Sequence, residues 1–403
     1  MLRLIIRRYK LALGVLALGI ATFYVRRLVF LIFPISRVIQ PIEDFPFTCQ
    51  RVQHPLVEGC EHIWLDHGDR KLYAACTSIE SRRGWSPAGD SFNLSARSRT
   101  DHIAVLDIDN PGSDGLYGLR KLKIRGDYPG DLDVHGFDAR RVGNRLRFWL
   151  INHRPPIDHI TGESLDAYKL GSNDTIEIFD FHPASDTLEY VKTIVSDAII
   201  TANGLAVDAD GLGFAVTNDH HAKVGVAKGL ELLFGGGSIA YCQTDSGECE
   251  IVTEKNCCNM PNGIVNTGEG TFLVSQSASG AVTKYHRQSN RMHAVQELSL
   301  GYVLDNLSLD EQGDVFAAAF PDLRALSRLA GDPSLVAAPA TVFKIPQIAV
   351  NVRGSSSLAM KLIEDRDAHV LPMTTGAIHD SRTGRLFLVG LFSPFLGVCD
   401  GHS

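Results

Sequence analysis

The stretch NGLAVDADGLGFAV, residues 203–216, decides the fold. A polar residue opens it and a short apolar strand follows. A turn of Gly and Asp comes next, and a second apolar strand closes the unit, which is the pattern of a β-hairpin. Six copies of this order occur along the chain. Glu61 opens EHIWLDHGDRKLYAAC, His135 opens HGFDARRVGNRLRFWLI, and Asn203 opens the copy just quoted. Asn262 opens NGIVNTGEGTFLVS, Asn306 opens NLSLDEQGDVFAAA, and Thr375 opens TGAIHDSRTGRLFLVG. The openings lie 74, 68, 59, 44 and 69 residues apart, intervals that suit a four-stranded blade with loops of variable length. The turn Gly of each copy is expected to supply the positive φ of a tight turn. Further strands are expected at 102–108, 175–181, 237–242, 282–286 and 340–345. Six copies predict an all-β, six-bladed β-propeller over residues 42–403, in preference to a sandwich or a jelly roll.

The chain has 403 residues and a formal net charge of −7. No Lys/Arg run or basic-aromatic stripe interrupts its body, so nucleic acid is not an expected partner. Residues 1–41 differ from the rest. Arg3, Arg7, Arg8 and Lys10 precede an apolar run at 11–25, Arg26 and Arg27 follow, and a second run occupies 28–35. A bilayer span needs about 20 apolar residues, and the first run alone falls short. Both runs together, with arginines that snorkel, read as a hydrophobic signal-anchor. The basic residues ahead of it put the N-terminus in the cytoplasm and the body in the lumen or outside the cell. A cleaved signal peptide, giving a secreted protein, is the competing reading.

Eight cysteines suit such a compartment, and none stands in a C-x-x-C pair. Cys49 and Cys399 lie near the two ends of the expected ring, which must close by joining its ends, so a disulfide is expected there. Cys242 and Cys249 flank the turn Thr244-Asp245-Ser246-Gly247 and suit pairing across a hairpin. Cys76, in an apolar strand, reads as a buried free thiol. Cys60, Cys257 and Cys258 are left unassigned.

In a propeller every innermost strand starts at the same end of the central channel. The residues opening the six copies therefore meet: Glu61, His135, Asn203, Asn262, Asp305–Asn306 and Thr374–Thr375. That ring holds two carboxylates and three carboxamides, the hard oxygen donors that calcium prefers. It has no Cys and one His, so zinc and copper fit badly. Taken singly, Asn-Gly and Asp-Asn are ordinary turn dipeptides. Taken together at one register, buried amides need a common partner. No G-x-S-x-G, H-E-x-x-H or G-K-[ST] motif offers another chemistry. The segment 224–234 reads as a short amphipathic helix, either walling the mouth of the channel or lying on the surface. Sequons at Asn93 and Asn173 are candidate glycosylation sites, whereas the sequon at Asn306 is expected to stay unmodified inside the channel.

From Cys49 to Cys399 the sequence resembles the paraoxonase/arylesterase family of calcium-dependent lactonases and esterases. The resemblance rests on GCEHIWL around Glu61, VHGFD around His135, INHRP around His153 and TANGLAV around Asn203. TNDHH from Thr217, MPNGIV around Asn262 and VLDNLSLD around Asp305 continue it. It implies a catalytic calcium on Glu61, Asn203, Asn262, Asp305 and Asn306, a histidine pair at His135 and His153, and an end-to-end disulfide at Cys49 and Cys399. It also implies an uncleaved hydrophobic N-terminus. The family's second, structural calcium uses acidic residues where this chain has His62 and Gly204, plus a carbonyl matching Phe137. One Ca2+ is therefore expected, not two. His62 is expected either to fill part of the vacant space or to be a packed, hydrogen-bonded core residue.

The function these readings imply is hydrolysis of a small lactone or aryl ester. The metal polarises the carbonyl, His135 activates water and His153 orients His135. Glu61 or Asp305 is the rival base. Two alternatives stand beside it: a non-catalytic, calcium-stabilised propeller that binds a partner, and a strictosidine-synthase-like propeller enzyme.

Overall fold

The computed structural model describes residues 10–402 except 11–12, 17, 20–21, 23–24, 27, 36, 159, 255–256, 333–337 and 352–357. Six sheets follow one another as the blades of a propeller. Their innermost strands are His62–Asp66, Val134–Val142, Ala202–Val207, Pro261–Gly268, Val303–Leu309 and Gly376–Asp380. Each packs on the next and the last returns to the first, so together they wall a channel. Strands also occur where the spacing expects them, at His102–Asp107, Asn173–His182, Ser238–Gln243, Ala281–Gln288 and Ala340–Ile345. The second blade has five strands, because Lys123–Arg125 adds in parallel to Thr187–Ile194.

The ring is closed by chain ends. Phe47–Val52 becomes the outer strand of the last blade, antiparallel to Leu396–Gly401. Cys49 lies opposite Cys399 in that ladder and is bonded to it. The bond ties a loop of 350 residues, which in the chain-entropy account disfavours the unfolded state by roughly 6 kcal/mol. Cys242 and Cys249 pair across their hairpin as expected. Cys76 is not a free thiol but is bonded to Cys60. The two lie just beyond the ladder pair His62–Ala75, where a hairpin brings its strand ends together. Cys257 and Cys258 form a vicinal pair.

The apolar core is divided into interfaces. One cluster lies between each pair of neighbouring blades, such as Trp149, Ile151 and Ile178 of the second blade against Leu205, Val207 and Phe214 of the third. Second strands are therefore covered on both faces, and Gly213–Asn218 and Val315–Phe320 are buried at every residue. That is why their sequences read as continuous apolar runs rather than alternations.

Two sets of glycines act differently from one another. The hairpin turns carry positive φ at residues such as Gly143 and Gly384, but in the first copy Arg70 rather than Gly68 holds it. The glycines that follow the opening residues sit in strand, not in turns. A Cβ on Gly204 would lie 2.5 Å from the carbonyl oxygen of Asn262, and one on Gly263 would lie 2.5 Å from Cα of Asn306. These positions are empty so that neighbouring inner strands can approach.

The expected anchor at 1–41 falls partly outside the described residues. Among the described residues no helix is long and apolar enough to cross a membrane. The last part of the segment docks on the propeller: Arg37 donates to the carbonyls of Pro321 (2.6 Å) and Gly301 (2.7 Å) and lies over the Tyr302 ring.

Gly204→Ala should destabilise the protein by about 1–3 kcal/mol in chemical unfolding, the usual cost of overpacking, whereas Gly143→Ala should act only through its turn and leave the channel intact.

Candidate metal centre and histidine pair

Each inner strand begins at the same end of the channel, and hydrogen bonds link the opening residues from blade to blade. Asn306 Nδ2 donates to Glu61 Oε1 at 2.6 Å, and the Thr375 hydroxyl donates to the Glu61 carbonyl at 2.7 Å. The Thr217 hydroxyl donates to the Asn262 carbonyl and the Ser275 hydroxyl to the Asp305 carbonyl, both at 2.6 Å. Asn203 Nδ2 donates to Asp219 Oδ2 at 3.3 Å, and Asp219 is in turn bonded to His220 Nδ1 at 2.9 Å. Burial would raise the Asp219 carboxyl, but the His220 bond and charge overcome it and hold the group at about 2.

These bonds use the amide nitrogens of Asn203 and Asn306 and leave side-chain oxygens over. Glu61 Oε2, Asn203 Oδ1, Asn262 Oδ1 and Asn306 Oδ1 are buried with no hydrogen-bond partner among the described residues. Each such atom costs about 1–3 kcal/mol if nothing meets it. Asp305 belongs to the same ring, and its carboxyl is pushed well above its usual range, first by burial and then by the charge of Glu61. Two carboxylates and three carboxamides converging on one channel are electrostatically incomplete without a cation. The donor set is all oxygen and fits calcium. Among the described residues no group of three or more His, Cys, Asp or Glu is placed to hold a metal.

His135 and His153 come together beside this ring, with ring centroids 4.8 Å apart. His135 Nε2 lies 3.9 Å from Glu61 Oε1. Burial first, then His153 and Arg82, hold the His135 imidazole well below its ordinary value, so it is neutral and able to accept a proton. Arg82 is buried nearby and donates to the carbonyls of Gly59 (3.1 Å) and Val134 (2.6 Å), fixing the strand that carries His135. His153 Nδ1 is bonded to Asp174 Oδ1 at 2.8 Å, and Trp85 Nε1 donates to the His153 carbonyl at 2.9 Å.

Asp174 and Asp219 are the residues that reading the sequence did not single out. Asp174 stands directly across the ladder from His153, so a correct strand register would have found it. Asp219 was visible only as part of TNDHH.

Helix Gly225–Phe234 occupies the segment expected to be amphipathic. Its buried Lys228 donates to the carbonyl of Pro87 (3.0 Å) and to Asp90 (2.6 Å), joining the helix to the loop above His153. Pro87 and Ala88, with His153, Asp174 and Asp219, line a small cavity there.

Deeper in the channel the walls turn apolar at Phe137, Leu205, Ile264, Leu307 and Ile378, and a cavity of about 240 Å³ opens towards the other face. His62 borders it, edge-on to Phe137 at 5.2 Å. His62 is packed but not hydrogen-bonded through Nδ1, which has no partner among the described residues. Asn93 is exposed, and Asn173 is half-buried at a strand start. Asn306 is buried.

Residues 169–351 match the model of the arylesterase family. Serum paraoxonase/arylesterase 1 of Mus musculus is 24% identical over 191 residues, covering 45% of this chain and 52% of that protein. Its Rattus norvegicus counterpart is 22% identical over 225 residues, covering 48% and 61%. The matches thus span little more than half the length of these relatives. Among solved structures, a luciferin-regenerating enzyme aligns over 88% of this chain and 95% of its own with a TM-score of 0.50 and 12% identity. A gluconolactonase from Xanthomonas campestris aligns over 91% and 99% with a TM-score of 0.50 and 14% identity, and both show the propeller fold alone. Motif order, family match and the two serum relatives agree: the chain resembles the paraoxonase/arylesterase family.

Proposed function

We propose that this chain is a calcium-dependent hydrolase of lactones or aryl esters. One observation carries the reading: four buried oxygens without a partner among the described residues ring the channel beside a buried histidine pair. Glu61, Asn203, Asn262, Asp305 and Asn306 would hold the ion, and calcium there supplies a Lewis acid for a carbonyl oxygen. His135 takes the proton of an attacking water, since it is neutral and without a partner on Nδ1 among the described residues. His153, bonded behind it to Asp174, keeps the pair in place. Both histidines are buried, with Pro87 and Ala88 lining the cavity beside His153, and burial strengthens every charge interaction inside. The esterase and lactonase names of the relatives and of the Xanthomonas campestris protein agree with this chemistry.

A second metal deeper in the channel is not part of the reading. Gly204 has no room for a side chain, and His62 faces apolar neighbours. Four disulfides suit an oxidising compartment, in keeping with the serum relatives, and an N-terminal membrane anchor remains part of the proposal.

The full chain should hydrolyse phenyl acetate or members of a lactone panel, and a calcium chelator should abolish turnover that added calcium restores. A folded, calcium-loaded protein inert on every substrate would favour a propeller that only binds a partner. His135→Gln should lower kcat by roughly 10²–10⁴-fold, the range of a lost general base, with calcium content unchanged; unaltered turnover would remove His135 from the mechanism.

A further inference from the structure

Asp174 does two jobs with one carboxylate. Oδ1 is 2.8 Å from His153 Nδ1, and Oδ2 accepts the backbone N–H of Ala202 at 2.8 Å. Ala202 immediately precedes Asn203 in the inner strand of the third blade. The carboxylate therefore joins the histidine pair of the second blade to the backbone that presents a ring oxygen. Asp174 and His153 are both buried, so water does not compete for these bonds. Burial would raise the Asp174 carboxyl, yet the charge and bond of His153 and a bond from Ser172 hold it below its ordinary value.

An ionised carboxylate only accepts hydrogen bonds. His153 must then carry a proton on Nδ1, so that in its neutral form Nε2, which has no partner among the described residues, is the lone-pair nitrogen. We propose that Asp174 is a positioning residue: it fixes the tautomer of His153, so that the ring beside His135 presents an acceptor and not a donor. A His135 N–H can then be held by His153, and the other His135 nitrogen is left as the lone pair that takes a proton from water. The catalytic part of this assignment rests on the hydrolase reading; the tautomer does not.

Asp174→Asn makes a sharp test. The variant amide has one acceptor and one donor end, but both neighbours, Ala202 N–H and His153 Nδ1–H, are donors. The backbone N–H cannot change, whereas an imidazole can shift its proton. The amide oxygen should therefore turn to Ala202, its NH2 to His153 Nδ1, and the imidazole proton should move to Nε2.

Long-range 1H–15N spectra of the full chain, labelled with 15N-histidine and recorded at about pH 8, where a free histidine is neutral, read this directly. The His153 signals are assigned by their loss in His153→Gln. Wild type should show a proton on Nδ1 alone, and Asp174→Asn a proton on Nε2. The variant's kcat should fall roughly 10²–10⁴-fold, with KM within about threefold. A proton on Nε2 in wild type overturns the assignment, as does an unmoved tautomer in the variant. A moved tautomer with unchanged kcat overturns the positioning role. If Asp174→Asn fails to fold, the wild-type spectrum still decides. If wild type hydrolyses nothing, the hydrolase reading falls while the spectrum still upholds or overturns the hold of Asp174 on His153.

Discussion

Four oxygens that meet no proton donor among the described residues set the terms for the rest of the molecule. Glu61 Oε2 and the side-chain oxygens of Asn203, Asn262 and Asn306 are buried at the start of four different inner strands. A single polar orphan is a small defect. Four at one level of one channel, with the raised carboxyl of Asp305 among them, form a cavity shaped for positive charge. The bonds around them point the same way. Hydroxyls of Thr217, Ser275 and Thr375 satisfy the backbone carbonyls of the ring residues, and amide nitrogens are spent on Asp219 and Glu61. What remains is acceptor.

Holding such a ring needs stiff walls. The inner strands approach closely enough that Gly204 and Gly263 have no space for a methyl group. Behind them each blade interface is a separate apolar cluster, and the ring of blades is closed by a ladder with Cys49–Cys399 across it. The closing strand comes from the start of the chain, so opening the ring would unpair a whole edge. The structure thus sets the cost of bringing two carboxylates together against the packing of six interfaces.

Much of this is legible in the sequence because a propeller repeats. The residue opening each copy marks the same place in the fold, so the ring residues fall out of the repeat without coordinates. Three features were hidden, each for a physical reason. Asp174 meets His153 only through the register of their hairpin, which one residue of slippage would reverse. Asn-Gly is ordinarily turn chemistry, but at 203–204 and 262–263 the glycine lies in a strand and makes room for a neighbour. Cys76 looks like one more apolar strand residue until the ladder carries it to Cys60. In every case the missing information was a neighbour in space that local composition does not encode.

The central claim is that the ring is a site for one hard cation. Chelator-stripped full chain titrated with calcium in a calorimeter, with metal content checked by elemental analysis, tests it most directly. The account predicts one calcium per chain and a large loss of affinity in Asn262→Ala. No binding, two ions per chain, or binding that Asn262→Ala leaves untouched would contradict it.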